Sequence, residues 1–200
     1  MRKLTVEDLH RIDAATFRTA PKVPLVVVLD NIRSLHNVGA MFRTADAFRL
    51  ERLVLCGITA TPPSVEIHKT ALGAEDSVAW TYEADTLDAV RRLRAEGYLI
   101  AAVEQVEGSV SLDRFTPEPG RRYAIILGNE VKGVRQDVVD AADMAIEIPQ
   151  YGTKHSLNVS VSAGIVMWHL ARRLARPSKP LNERPRFQGV KAHLFRRFGH

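Results

Sequence analysis

The chain has 200 residues, 46% apolar and 26% charged, with a formal net charge of +5. A chain of this length buries roughly 70% of its unfolded surface and needs neither disulfide nor metal to fold. The single cysteine, Cys56, excludes an internal disulfide and fits a reducing compartment. No apolar stretch approaches the length of about 18 residues that a spanning helix needs, and Met1–Asp8 lacks a signal-peptide core. The expectation is a cytoplasmic protein with no membrane segment.

At the N-terminus, Thr5 precedes Asp8 by three residues, a variant of the helix-capping box, and Leu9, Ile12 and Phe17 give a short helical stripe that ends at Pro21 and Pro24. Residues 1–22 therefore read as a helical extension. From there strands and helices alternate. Pro24–Asp30 is a continuous apolar run, as in a strand buried on both faces. Val38–Phe48 reads as a helix, Arg52–Gly57 as a strand with Cys56 a small buried side chain, and Ser64–Leu72 as a helix after Pro62-Pro63. Ser77–Tyr82 reads as a strand. Asp85–Glu96 reads as a helix with Leu87, Val90 and Leu93 on one face, stopped by Gly97. Tyr98–Val103 is a strand, Gly108–Arg122 a connector rich in proline and glycine, Tyr123–Leu127 a strand, Gln136–Ala142 a helix and Met144–Ile148 a strand. The last long helix is Asn158–Leu174, with Val159, Ala163, Val166 and Leu170 at helical spacing.

This alternation predicts an α/β domain over residues 23–175, a parallel sheet flanked by helices. Ligands of such sheets sit at the carboxyl ends of the strands. The polar, glycine-rich runs after Asp30, Leu127 and Ile148 fall there. Pro177 and Pro180 close the core, and residues 176–200 form a basic tail. Residues 171–200 carry nine Lys/Arg against Glu183 alone, whereas residues 1–170 hold 19 basic and 22 acidic groups. Phe187, Phe195 and Phe198 interleave with that charge, which suits a polyanion with stackable bases; a solvated tail is the alternative.

Common nucleotide signatures fail. Gly128 and Gly133 have P-loop spacing, but Val134-Arg135 replaces the Lys-Ser/Thr that reaches phosphate and magnesium. There is no dinucleotide fingerprint, no zinc-type histidine spacing and no G-x-S-x-G elbow, so no metal ligand is assigned.

Three runs remain: Asn31–Phe48, Leu127–Val134 and Ile148–Ile165. In this order and spacing they resemble the SpoU–TrmH branch of the SPOUT methyltransferases, from about Pro24 to Trp168. The resemblance implies a C-terminal trefoil knot, a homodimer, S-adenosyl-L-methionine as cofactor, and transfer of its methyl group to a ribose 2′-hydroxyl of RNA. Transfer RNA is preferred over ribosomal RNA as the target. It places Gly128, Ile148 and Leu157 at positions that contact the cofactor, and Asn37, Glu130, Ser156 and Asn158 at positions tied to activity. It gives Arg43 a substrate phosphate and a part in removing the ribose proton. A non-catalytic RNA-binding protein on the same fold is the alternative.

The residues have local readings of their own. Asn37 and Ser156 suit helix caps. Arg43, on an otherwise apolar helix, needs either Asp46 or a phosphate as partner. Glu130 either pairs with Lys132 or Arg135, or orients the ribose or the arginine. Arginine is a difficult base because its pKa lies above about 12. The base therefore stays open, and Arg43 fits electrostatic stabilisation of the developing oxyanion. Whether Lys154 and His155 reach RNA is left open by the sequence.

Overall fold

The computed structural model describes residues 1–5 and 7–175; the basic tail lies outside them. Seven strands form one sheet: β1 (Val23–Asp30), β2 (Leu50–Cys56), β3 (Trp80–Glu83), β4 (Tyr98–Val103), β5 (Val110–Ser111), β6 (Arg122–Leu127) and β7 (Met144–Glu147). Their order is β3-β2-β1-β6-β4-β7-β5, and every pairing is parallel. The helices are α1 (Ala14–Thr19), α2 (Leu35–Ala47), α3 (Val65–Ala71), α4 (Ala74–Ser77), α5 (Thr86–Ala95), α6 (Gln136–Asp140) and α7 (Val159–Leu174).

The central strand explains the two-sided core. Side chains alternate along a strand, so Leu25, Val27 and Leu29 of β1 enter one cluster with Val38, Met41 and Phe42 of α2 and Val166 and Leu170 of α7. Val26 and Val28 enter the other, with Ala89, Val90 and Leu93 of α5 and Val138 of α6. All five β1 side chains are fully buried, which is why the run reads as continuously apolar instead of alternating.

The expected α/β architecture is present, with local corrections. The N-terminal stripe is not one helix. Thr5 and Asp8 do exchange capping bonds (Thr5 N to Asp8 Oδ2 2.8 Å, Asp8 N to Thr5 Oγ1 3.3 Å), but they cap only the 3-10 turn Glu7–Leu9. His10 then takes a left-handed φ of 46°, which breaks the helical path, and α1 starts afresh at Asp13, whose Oδ1 accepts from Thr16 N at 2.7 Å. Residues 74–77 are helical, so β3 begins later than the expected Ser77; Leu72 and Gly73, both left-handed, end α3 and restart the chain as α4. The connector contributes the edge strand β5.

At the carboxyl edge β1 lies beside β6, with β4 and β7 next in order. Asp30, fully buried at the end of β1, ties three elements there. Its carboxylate accepts from Thr86 Oγ1 (2.6 Å), Asn31 Nδ2 (2.8 Å) and Arg135 N (3.2 Å).

Candidate active site

Beyond that edge the three polar loops meet. A cavity of about 710 Å³ opens between residues 103–106, 127–134 and 146–158, with Leu127, Gly128, Ile148, Ser156, Leu157 and Asn158 on its walls. Its size is that of a pocket for a cofactor-sized molecule.

The loop after β6 folds back on itself. Asn129 and Gly133 exchange backbone bonds (3.0 and 2.9 Å), while Asn129 Oδ1 accepts from the N–H groups of Val131 and Lys132. Asn129 Nδ2 reaches across to Asn31 O at 2.8 Å. Gly128 is required by this fold: a Cβ there would lie 2.1 Å from Gly133 C and Val134 N. These are backbone atoms with no flexible end to move aside. Gly133 has a left-handed φ of 67°, and a Cβ on it would meet Glu104 Oε2 at 2.1 Å.

Glu130 joins this loop to the first motif. Its carboxylate accepts from Arg33 N, Ser34 N and Asn37 Nδ2, each at 3.0 Å. A carboxylate only accepts, so Asn37 turns its amide nitrogen to Glu130 and its oxygen to Asn158, whose Nδ2 donates to it at 3.3 Å. Asn158 Oδ1 in turn accepts from Ser160 N (2.8 Å), Ser160 Oγ (2.6 Å) and Val161 N (3.4 Å). One chain of side-chain bonds thus links all three motifs. Partial burial alone would push the Glu130 carboxyl up, but the Arg33 and Ser34 N–H groups, helped by Asn37, outweigh it and hold the group below its ordinary range.

The caps differ from the local readings. Ser34, not Asn37, caps α2, accepting from Asn37 N at 3.3 Å, so α2 begins at Leu35 rather than Val38 and the Asn37 side chain is free to bridge. Asn158, not Ser156, caps α7, which leaves Ser156 exposed on the cavity wall. Glu130 forms no ion pair with Lys132 or Arg135; Arg135 pairs with Asp85 and Asp137 instead.

Arg43 stands apart. It is exposed on α2, six residues beyond Asn37, and is absent from the cavity wall. Asp46 does not pair with it: that carboxylate accepts from Ser77 Oγ at 2.7 Å. Among the described residues Arg43 has no salt-bridge partner. Lys154 and His155 are both exposed, and only His155 lines the cavity. No group of metal-ligating side chains occurs among the described residues.

Two residues outside the three motifs belong to the site. Glu104, just after β4, accepts from Val134 N at 2.9 Å, and Gln105 Nε2 donates to His155 O at 3.1 Å. This dipeptide pins the second and third loops together. A polar pair directly following an apolar strand was the available signal.

The fold and site define a parallel α/β domain whose ligand cleft is walled by the segments after β4, β6 and β7 at the carboxyl edge of its sheet, with the loop after β1 bonded to it through Glu130. A sequence profile described as the SpoU rRNA Methylase family matches residues 24–168, and the chain belongs to that family. It is 36% identical over 148 residues to the 23S rRNA (guanosine-2'-O-)-methyltransferase RlmB of Nitrosomonas europaea, covering 74% of this chain and 56% of that protein. The chain thus spans little more than half the length of that relative. Among solved structures it is similar to the AdoMet-bound rRNA methyltransferase from Sinorhizobium meliloti (TM-score 0.70, 28% identity, 78% of this chain and 59% of the other). It is also similar to the A. aeolicus TrmH/SpoU tRNA modifying enzyme (TM-score 0.70, 26% identity, 82% and 85%). No described helix is long and apolar enough to cross a membrane.

Proposed function

We propose that the protein transfers a methyl group from S-adenosyl-L-methionine to a ribose 2′-hydroxyl of RNA. The observation that carries this reading is the Glu130–Asn37–Asn158 chain of hydrogen bonds standing beside the Gly128 cavity. The walls fit the cofactor: Leu127, Ile148 and the exposed Leu157 suit adenine, and the Gly128 fold brings backbone close to the ligand. When bound, the cofactor supplies an electrophilic methyl carbon on a sulfonium.

In this reading the chain's residues position and polarise. Glu130 fixes Asn37 and Asn158, and Asn158 sets the start of α7 and so the place of Leu157. Ser156 offers a hydroxyl at the cavity wall. Arg43, unpaired in its own subunit, serves the cleft of a second subunit, holding substrate phosphate and stabilising the oxyanion as the hydroxyl proton leaves. A homodimer has support on α7, where Val161, Ile165 and Trp168 form an exposed apolar stripe continuing from Leu157, with 50%, 36% and 52% of their surface open. The reading includes residues 23–175 as the methyltransferase domain, flanked by the N-terminal extension and the basic tail. It also includes a trefoil knot where the chain returns from β7, past the Gly128 loop, to lay α7 on α2 and β1, and a place in the cytoplasm.

The RNA in this reading is transfer RNA or ribosomal RNA, the two classes that its relatives are named for. The test is incubation of the purified chain with each RNA and methyl-labelled cofactor, followed by mapping of the product nucleoside. A 2′-O-methylated nucleotide at a defined site is expected. Label on a base refutes the reaction, and absence of both transfer and cofactor binding leaves a non-catalytic RNA-binding protein.

A further inference from the structure

A second cavity, of about 580 Å³, lies away from the cleft, between the β2–α3 loop, α3, α4 and the start of β3. Its walls are flat and apolar: Pro62, Pro63, Val65 and the Trp80 indole. The polar end is Glu75, whose side chain is only 8% exposed. Glu75 Oε1 is held by His68 Nδ1 at 2.5 Å. Glu75 Oε2 is buried and has no hydrogen-bond partner. A buried acceptor left unpaired is costly, on the order of 1–3 kcal/mol for a polar group and more for a charged one. Nothing in the fold described above uses this carboxylate, and neither the methyl-transfer cleft nor the α7 stripe includes it.

The chemistry of the lining selects a ligand. Glu75 and the neighbouring Asp76 make the pocket acidic, so a phosphate is repelled from it. A flat group that stacks on proline and indole faces and donates N–H to a carboxylate is accepted. Guanine presents two adjacent donors, N1–H and the 2-amino group, to a carboxylate with no carbonyl between them. Uracil presents a single N–H between two carbonyl oxygens, which face the carboxylate unfavourably. Phosphate has a place at the rim, where Arg18, donating to Asp76 O at 3.2 Å, supplies an exposed cation.

We propose that the Pro62–Pro63–Trp80 pocket takes an unpaired guanine of the RNA, read by Glu75, as a recognition point separate from the nucleotide that is methylated. The proposal rests on RNA being the substrate. Its test avoids both cofactor and methyl transfer, so it stands or falls apart from that reading.

The chain has two tryptophans, Trp80 and Trp168, and Trp168→Phe leaves Trp80 as the only indole. Titration of this variant with guanosine monophosphate should quench the fluorescence saturably. Uridine monophosphate and arginine amide should require at least about tenfold more ligand, one well-placed hydrogen bond being worth roughly that factor. Adding Glu75→Gln, which turns an acceptor into a donor, should weaken guanosine monophosphate by a similar factor. Val65 is 74% exposed, so Val65→Phe fills the pocket mouth without entering the core and should also abolish quenching. Absence of saturable quenching overturns the proposal. So does equal quenching by the uridine nucleotide, binding as tight in Glu75→Gln or in Val65→Phe, or stronger quenching by arginine amide, which would make the pocket a site for a protein side chain.

Discussion

Removing the Glu130 carboxylate tests whether it is the clamp that assembles the cleft. Glu130→Ala deprives three donors of their acceptor: the N–H groups of Arg33 and Ser34, and Asn37 Nδ2. The first two lie in exposed surroundings, where water replaces the lost bond cheaply. Asn37 is only 9% exposed and bears most of the cost. The buried Asn37 bond to a charged group contributes about 1.5–3 kcal/mol and each exposed one only about 0.5 kcal/mol, so the loss is roughly 2.5–4 kcal/mol. For a domain of this size that lowers Tm by on the order of 5–15 °C. Cofactor affinity should fall as well, because Asn37 no longer holds Asn158 and the start of α7. The assays are thermal unfolding and titration with the cofactor. The pH dependence gives a separate check. The folded carboxyl titrates below its ordinary range, so the stability it contributes is complete above the ordinary glutamate value of about 4.3 and is lost as pH falls through the depressed folded value. The gap in Tm between wild type and Glu130→Ala should therefore be wide at neutral pH and narrow on acidification. A variant that melts within about 1 °C of wild type at pH 7, far inside the expected drop, would refute the clamp.

Gly128→Ala should cost at least about 1–3 kcal/mol and more than tenfold in cofactor affinity, since the new methyl meets immovable backbone; calorimetric titration checks it. On the proposed function, Arg43→Ala should abolish methyl transfer with cofactor affinity nearly unchanged, because the side chain is absent from the cavity wall; a large loss of cofactor binding would contradict the role. Burial pushes the Cys56 thiol up to about 12, so a thiol reagent at pH 8 should label the chain only after denaturation, as mass spectrometry would show.

The strand runs were legible because burial on both faces leaves no polar residue to interrupt them, as along Val26–Leu29. The meeting of the three motifs was also legible, since parallel strands place their following loops on one edge. Caps were not. Ser34 and Asn37 are equally good cap formers, and only the presence of Glu130 across the edge decides which one bridges. Glu104 and Gln105 carry only the weak signal of a polar pair after an apolar strand, because their partners are a backbone N–H and a backbone carbonyl that the sequence does not specify. The unpartnered Glu75 Oε2 was hidden for the opposite reason: an acid beside Asp76 on a short helix reads as solvated.

The bonds that build the cleft join residues very far apart along the chain: 93 positions between Asn37 and Glu130, and 121 between Asn37 and Asn158. During synthesis the first partner must wait, unsatisfied, until the last long segment has emerged and swung back to it. Closure of the cleft therefore follows formation of the described strands. A fragment ending before Asn158 would already hold every strand of the sheet yet lack the residue that closes the circuit. Cofactor binding regained on refolding should lag behind recovery of strand signal for the same reason.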